Sequence, residues 1–95
     1  MVDVPIYRIA LVSCAMHQPM YAPVFAAHPR LEIACVVDDP HEIDEYVVET
    51  NRAIAEQYGV PYVEGIDAVA EDATIDICSV CPQLERRGRI SARLA

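Results

Sequence analysis

The sequence predicts an α/β domain: a parallel sheet of four strands in the order 3-2-1-4, with helices on both faces, forming the first half of a doubly wound domain. Two observations carry this. Apolar runs of strand length alternate with stretches of helical periodicity, giving the order βαβαβαβα. The segments between strands are also long enough for parallel crossovers. Right-handed crossovers then place helices on both faces, and the winding direction reverses between the first and fourth strands. In open α/β sheets, ligands bind outside the strand C-termini at such a reversal.

The first strand is Tyr7–Val12, Tyr-Arg-Ile-Ala-Leu-Val, a mostly apolar run suited to a strand covered on both faces. Residues 1–5 are a lead-in ending at Pro5. The turn 13–18 opens a helix over Pro19–Ala27, because the fixed φ of Pro19 suits a first helical position. The expected core face of that helix is Met20, Val24 and Ala27, flanked by Tyr21 and Phe25. His28-Pro29 ends it.

The second strand is Leu31–Val37, with Ile33, Cys35 and Val37 on one face and Ala34 and Val36 on the other. In Asp39-Pro40-His41-Glu42, Asp39 can cap a helix, Pro40 can take its first position, and Glu42 can close a capping box. The helix is therefore expected over Pro40–Tyr58, with Val47, Asn51, Ile54 and Tyr58 at helical spacing. Gly59 is placed as its C-terminal glycine, and Pro61 follows. A short third strand, Tyr62–Val63, a turn at Glu64-Gly65 and a small helix, Ile66–Glu71, come next. The fourth strand is Ile75–Val80, followed by Cys81-Pro82 and a helix over Gln83–Ala95. Gly88 weakens that helix by about 1 kcal/mol relative to Ala.

With 95 residues, the chain is one domain or part of one. It is 54% hydrophobic, with mean hydropathy +0.19, which is rich for this length. The formal net charge is −8, and all seven basic residues are arginines. That balance argues against a nucleic-acid partner, which needs a basic surface. Arg86, Arg87, Arg89 and Arg93 form a local cluster that reads as a solvated helix face. No run of about 18 apolar residues is present, so no membrane partner is expected. The start of the chain has neither a basic stretch nor a long apolar core, so it is not a secretory signal, and a cytoplasmic protein is expected.

Of the four cysteines, Cys35 and Cys78 fall inside strand patterns, where an unpaired thiol acts as a small hydrophobe. Cys78-x-x-Cys81 invites a redox or zinc reading. Extended backbone sets those Cα atoms about 10 Å apart at ~3.3 Å per residue, however, which does not suit chelation. Structural cysteines are the favoured reading. A metal cluster of Cys14, His17 and Cys81 is disfavoured, and the expected metal set is none.

The candidate site is the pair of turns at the reversal. Dinucleotide-binding turns carry G-x-G-x-x-G after the first strand. Here Ser13, Ala15 and Gln18 stand in place of the three glycines. Main-chain N–H groups of Ala15, Met16, His17 and Gln18 would still point from a helix N-terminus, which attracts anions. His17 could add a donor to a phosphate, or be an exposed loop histidine. Asp38 ends the second strand, where a carboxylate can accept from ribose hydroxyls and repel a 2′-phosphate; Asp39 makes this an acidic pair, and the alternative for both is helix capping. NAD is therefore favoured over NADP. Cys81-Pro82-Gln83 would face the first turn, and Gln83 could instead cap the last helix.

Four segments together resemble a known family. They are Ile-Ala-Leu-Val-Ser-Cys-Ala, Leu-Glu-Ile-Ala-Cys-Val-Val-Asp-Asp, Ile-Ala-Glu-Gln-Tyr-Gly-Val-Pro-Tyr-Val and Ile-Asp-Ile-Cys-Ser-Val-Cys-Pro. The pattern is similar to the N-terminal Rossmann domain of the glucose–fructose oxidoreductase / inositol dehydrogenase family. The resemblance runs over about residues 7–94. It implies NAD or NADP binding and oxidation of a sugar or cyclitol hydroxyl. It further implies that the loop 13–17 meets the pyrophosphate, Asp38 the adenosine ribose, and Cys81-Pro82 the nicotinamide side. The chain departs from the family in lacking the glycine fingerprint and in having no lysine, so the family's catalytic lysine is absent.

Residues 1–95 are thus expected to be the N-terminal part of a dinucleotide-binding domain whose substrate domain is absent, so the chain alone would not catalyse hydride transfer. A small-molecule substrate is expected only for a full-length parent. An apolar fourth strand at the sheet edge is expected to recruit a second copy of the chain. The alternative function is a non-enzymatic binding or regulatory module of the same fold that has lost the dinucleotide.

Overall fold

The computed structural model describes residues 4–39, 41 and 43–95. Its elements are β1 (Tyr7–Val12), α1 (Gln18–Ala27), β2 (Leu31–Asp38), α2 (Glu45–Tyr58), β3 (Tyr62–Glu64), α3 (Ile66–Ala70), β4 (Ile77–Val80) and α4 (Leu84–Leu94). The sheet has the order β3-β2-β1-β4, and every pairing is parallel. The predicted reversal between the first and fourth strands is present, because β1 carries β2 on one side and β4 on the other. Among the described residues, no helix is long and apolar enough to cross a membrane.

Each face of the sheet buries its own apolar layer. Ile9, Leu11, Ile33 and Val36 pack with Ala22 of α1 and with Ile54 and Ala55 of α2. Ala10, Val12, Cys35 and Val37 pack with Ile66 and Val69 of α3 and Ile90 of α4. The sheet is thus covered on both faces, which is why its central strands read as near-continuous apolar runs.

β2 departs from strict alternation. Ile9 pairs with Ile33, but the next residue, Ala10, pairs with Cys35. Ala34 is the extra residue of a bulge, and a one-residue insertion switches the faces beyond it. Ile33 therefore shares a layer with Val36 rather than with Cys35 and Val37 as expected.

The expected core face of α1 is also corrected. Met20 is 70% exposed and Val24 65%, while Gln18 and Ala22 are buried and Phe25 packs beneath the helix. The segment is apolar nearly all round, so its periodicity held no orienting signal.

α2 begins later than predicted. Asp44 caps it, accepting from the Val47 N–H at 3.1 Å, and Gly59 closes it at φ 66° in the left-handed region. Asp39 does not cap α2; its Oδ1 accepts from the Ile66 N–H at the start of α3, at 3.0 Å. The expected roles of Pro40 and Glu42, and the first three residues of the lead-in, lie outside the described residues. β4 starts two residues late, because the Arg8 N–H donates to the Asp76 carboxylate at 2.9 Å rather than to a ladder carbonyl.

The arginine cluster is not uniformly solvated. Arg87, Arg89 and Arg93 are exposed, but Arg86 is buried, one helical turn before the buried Ile90. Arg93 pairs with Asp67 of α3 at 2.8 Å on the surface.

Candidate functional site

The turns after β1 and β4 meet at the C-terminal edge of the sheet. Main-chain bonds join them: the Met16 N–H donates to the Cys81 carbonyl at 3.2 Å, and the Cys81 N–H donates to the Val12 carbonyl at 3.0 Å. The Ser13 N–H donates to the Val37 carbonyl at 2.8 Å, which ties the first turn to β2 as well. Ser13, Ala15, Met16, His17, Cys81 and Pro82 are thereby gathered at the reversal.

Ser13 adopts φ 65°, the one positive value at a non-glycine among the described residues. Ser13, where a fingerprint glycine would stand, thus adopts the left-handed backbone that glycine takes freely. The Ser13 side chain is fully buried, and its hydroxyl has no hydrogen-bond partner among the described residues. Ala15 is half-buried, while Met16 and His17 are exposed. His17 occupies the N-cap position of α1 without a side-chain capping bond, 6.1 Å from the Tyr21 ring. Cys81 and Pro82 are buried.

Gln18 replaces the third fingerprint glycine without wedging the layers apart. Its side chain is fully buried; Nε2 donates to the Ser79 carbonyl at 2.6 Å, and Oε1 accepts from the Ser79 hydroxyl at 2.9 Å. A polar stitch between α1 and β4 stands where close packing against glycine would otherwise hold helix to strand.

Asp38 does end β2 at the reversal, but its carboxylate is fully buried. Oδ1 accepts from the Asp39 N–H at 2.9 Å and from Arg86 Nη2. Oδ2 accepts from Asn51 Nδ2 at 3.0 Å. Asn51 reaches in from α2, on one face of the sheet, and its Oδ1 also accepts from the Cys14 N–H at 2.8 Å. Arg86 reaches in from the first turn of α4, on the other face, and its Nη1 donates to Gln83 Oε1 at 2.6 Å. Gln83 holds the N-cap position of α4 but makes no side-chain capping bond there. Asp38 is therefore clamped between the two helical layers, with the side chains of the Arg86–Asp38 pair 6% and 0% exposed.

The sequence reading missed Asn51 and Arg86 as members of this cluster. A signal was available for each: Asn51 falls on the apolar face of α2, and Arg86 lies one turn before Ile90 on the sheet-facing side of α4. A polar residue on a buried face asks for a buried partner.

Burial, with the Asp38 carboxylate adding and Cys81 contributing further, pushes the Cys14 thiol up to about 12. Burial also raises Cys81, Cys35 and Cys78. Among the described residues, no group of three or more His, Cys, Asp or Glu side chains is arranged to hold a metal ion.

No protein-family model matches the chain, and no curated protein matches it. Among solved structures it is similar to a candidate myo-inositol dehydrogenase from Sinorhizobium meliloti 1021, with TM-score 0.76 and 22% sequence identity. The match covers 93% of this chain and 24% of that one, so the chain spans about a quarter of that structure's length. The likeness is one of fold, and the fold is the Rossmann-like α/β arrangement predicted above.

Proposed function

We propose that the chain is the cofactor-binding portion of an NAD(P)-dependent oxidoreductase of the glucose–fructose oxidoreductase / inositol dehydrogenase type, acting on a sugar- or cyclitol-like hydroxyl. The observation that carries this reading is the buried, unpartnered hydroxyl of Ser13 in a turn that keeps a glycine-like φ at the sheet reversal. A buried polar group left unpaired in a native fold calls for an explanation, and a bound phosphate oxygen supplies one. Ser13 with the N–H groups of Ala15 and His17 would hold the pyrophosphate. Asp38 and Asp39 would lie toward the adenosine ribose, and Cys81-Pro82 toward the nicotinamide half. The acidic pair favours NAD over NADP. The dinucleotide supplies hydride transfer when bound; this chain's residues bind and orient it. The fold likeness to a candidate inositol dehydrogenase supports the same reading.

One observation favours the second reading, a binding or regulatory module of this fold without a dinucleotide. Asp38, the residue expected to read the ribose, already accepts three internal hydrogen bonds. Titrating NADH into the purified protein and following nicotinamide fluorescence separates the two. Saturable enhancement below millimolar NADH is expected from the oxidoreductase reading. A flat titration to millimolar NADH, in protein that is folded by circular dichroism, sinks it and leaves the second.

A further inference from the structure

We infer that Arg86 is an internal occupant of the sugar-reading position, and that a dinucleotide enters only by displacing its guanidinium from Asp38. The inference rests on the oxidoreductase reading and adds a regulatory device to it. Three observations carry it. In the order β3-β2-β1-β4, Asp38 ends β2 and Arg86 follows β4, so the side chain spans the end of β1, across the reversal. Its guanidinium donates to Asp38 Oδ1 and to Gln83 Oε1. The pair is buried almost completely, so it is not a surface ion pair that water exchanges freely.

The chemistry sets a competition. A guanidinium-to-carboxylate hydrogen bond is charge-assisted and stronger than one from a neutral ribose hydroxyl. The ribose must therefore take Asp38 from a better donor. The apparent affinity falls in proportion to the fraction of molecules in which Arg86 has swung away. An open fraction near one in ten weakens binding about tenfold. Asn51 and the Asp39 N–H, which also bond Asp38, do not span the reversal and need not move.

Two measurements on the whole chain test this. Arg86→Ala should bind NADH about tenfold more tightly than wild type in the fluorescence titration, with the fold checked by circular dichroism. In wild-type protein, the Arg86 guanidinium N–H signals in ¹⁵N NMR should be protected from solvent exchange without ligand and lose that protection as NADH saturates. This second measurement decides alone if Arg86→Ala does not fold. Wild type that binds NADH while the Arg86 signals stay protected, or a folded Arg86→Ala that binds no more tightly than a binding wild type, overturns the inference and leaves the oxidoreductase reading intact. No binding by folded wild type at millimolar NADH removes both together.

Discussion

The Gln18 side chain bonds Ser79 twice, donating to its carbonyl at 2.6 Å and accepting from its hydroxyl at 2.9 Å. This pair joins the start of α1 to β4 across residues 61 positions apart in sequence. It fixes the spacing of the two turns that form the candidate site.

Gln18→Ala removes both bonds, together with a longer one from Nε2 to the Ser13 carbonyl at 3.4 Å, and leaves the Ser79 carbonyl facing a small void. The expected loss is about 2 kcal/mol, at roughly 1 kcal/mol per hydrogen bond with some added cost for stranded polar atoms. A lower urea midpoint with an unchanged slope would report it. A midpoint within error of wild type would mean that the stitch contributes nothing to stability.

Ser13→Gly should move stability and binding in opposite directions. A non-glycine residue in the left-handed region costs about 1–2 kcal/mol, and glycine gives back roughly 0.5–1 kcal/mol through the freer unfolded chain. The substitution also deletes the unpartnered buried hydroxyl. Stability should rise by about 1 kcal/mol in urea unfolding, while NADH binding weakens through loss of the phosphate donor. A variant that is more stable and binds NADH equally well would separate the strain argument, which stands, from the phosphate role of Ser13, which does not.

The fold was legible because its signals were local and mutually consistent. Strand-length apolar runs, the Gly59 terminator and the apolar positions of α2 all pointed to the same layered sheet. Elements failed where the pattern was uniform or where a side chain did a backbone's work. α1 is apolar on nearly every side, so Met20 and Val24 could not be told from Ala22. The Ala34 bulge preserves apolar composition while switching faces, which alternation alone cannot reveal. Asp39 and Asp44 are both chemically competent caps, and only the placement of α3 beside the end of β2 commits Asp39 elsewhere.

The site was half legible for a related reason. Position at the end of a strand is written in the sequence, so Ser13 and Asp38 could be named. What Asp38 binds depends on residues 13 and 48 positions further along the chain, Asn51 and Arg86. Four arginines within eight residues look like a solvated face until the fold turns one of them inward.

The Cys14 thiol predicts a pH dependence of stability. Its value rises from 9.0 to about 12 in the fold, mainly through burial. Between these values the unfolded thiol has lost its proton and the folded one keeps it, so the folded state binds more protons and stability falls as pH rises. The contribution is fully present below pH 9.0 and is lost on the way to about 12, at up to about 1.4 kcal/mol per pH unit. Urea midpoints measured at about pH 8 and about pH 10 should fall more for wild type than for Cys14→Ala. Parallel declines would show that Cys14 is not the group responsible. The other three cysteines shift in the same direction and remain in both proteins, so the difference isolates Cys14.

β4 gives the last prediction. It lies at one end of the sheet, paired to β1 alone among the described strands, and Ile77 on it is 39% exposed. An apolar edge with free main-chain groups is a template for another strand. Self-association through β4 is therefore expected at micromolar concentration, most simply by two copies meeting about a two-fold axis. A lysine on an edge strand opposes such pairing because the charge would be buried against its own copy. Ile77→Lys should shift the protein to monomer in sedimentation or light scattering while its circular dichroism is unchanged, since Ile77 contributes little to the buried layers. Wild type that is already monomeric at those concentrations refutes the pairing, and a variant that associates as strongly as wild type moves the contact away from β4.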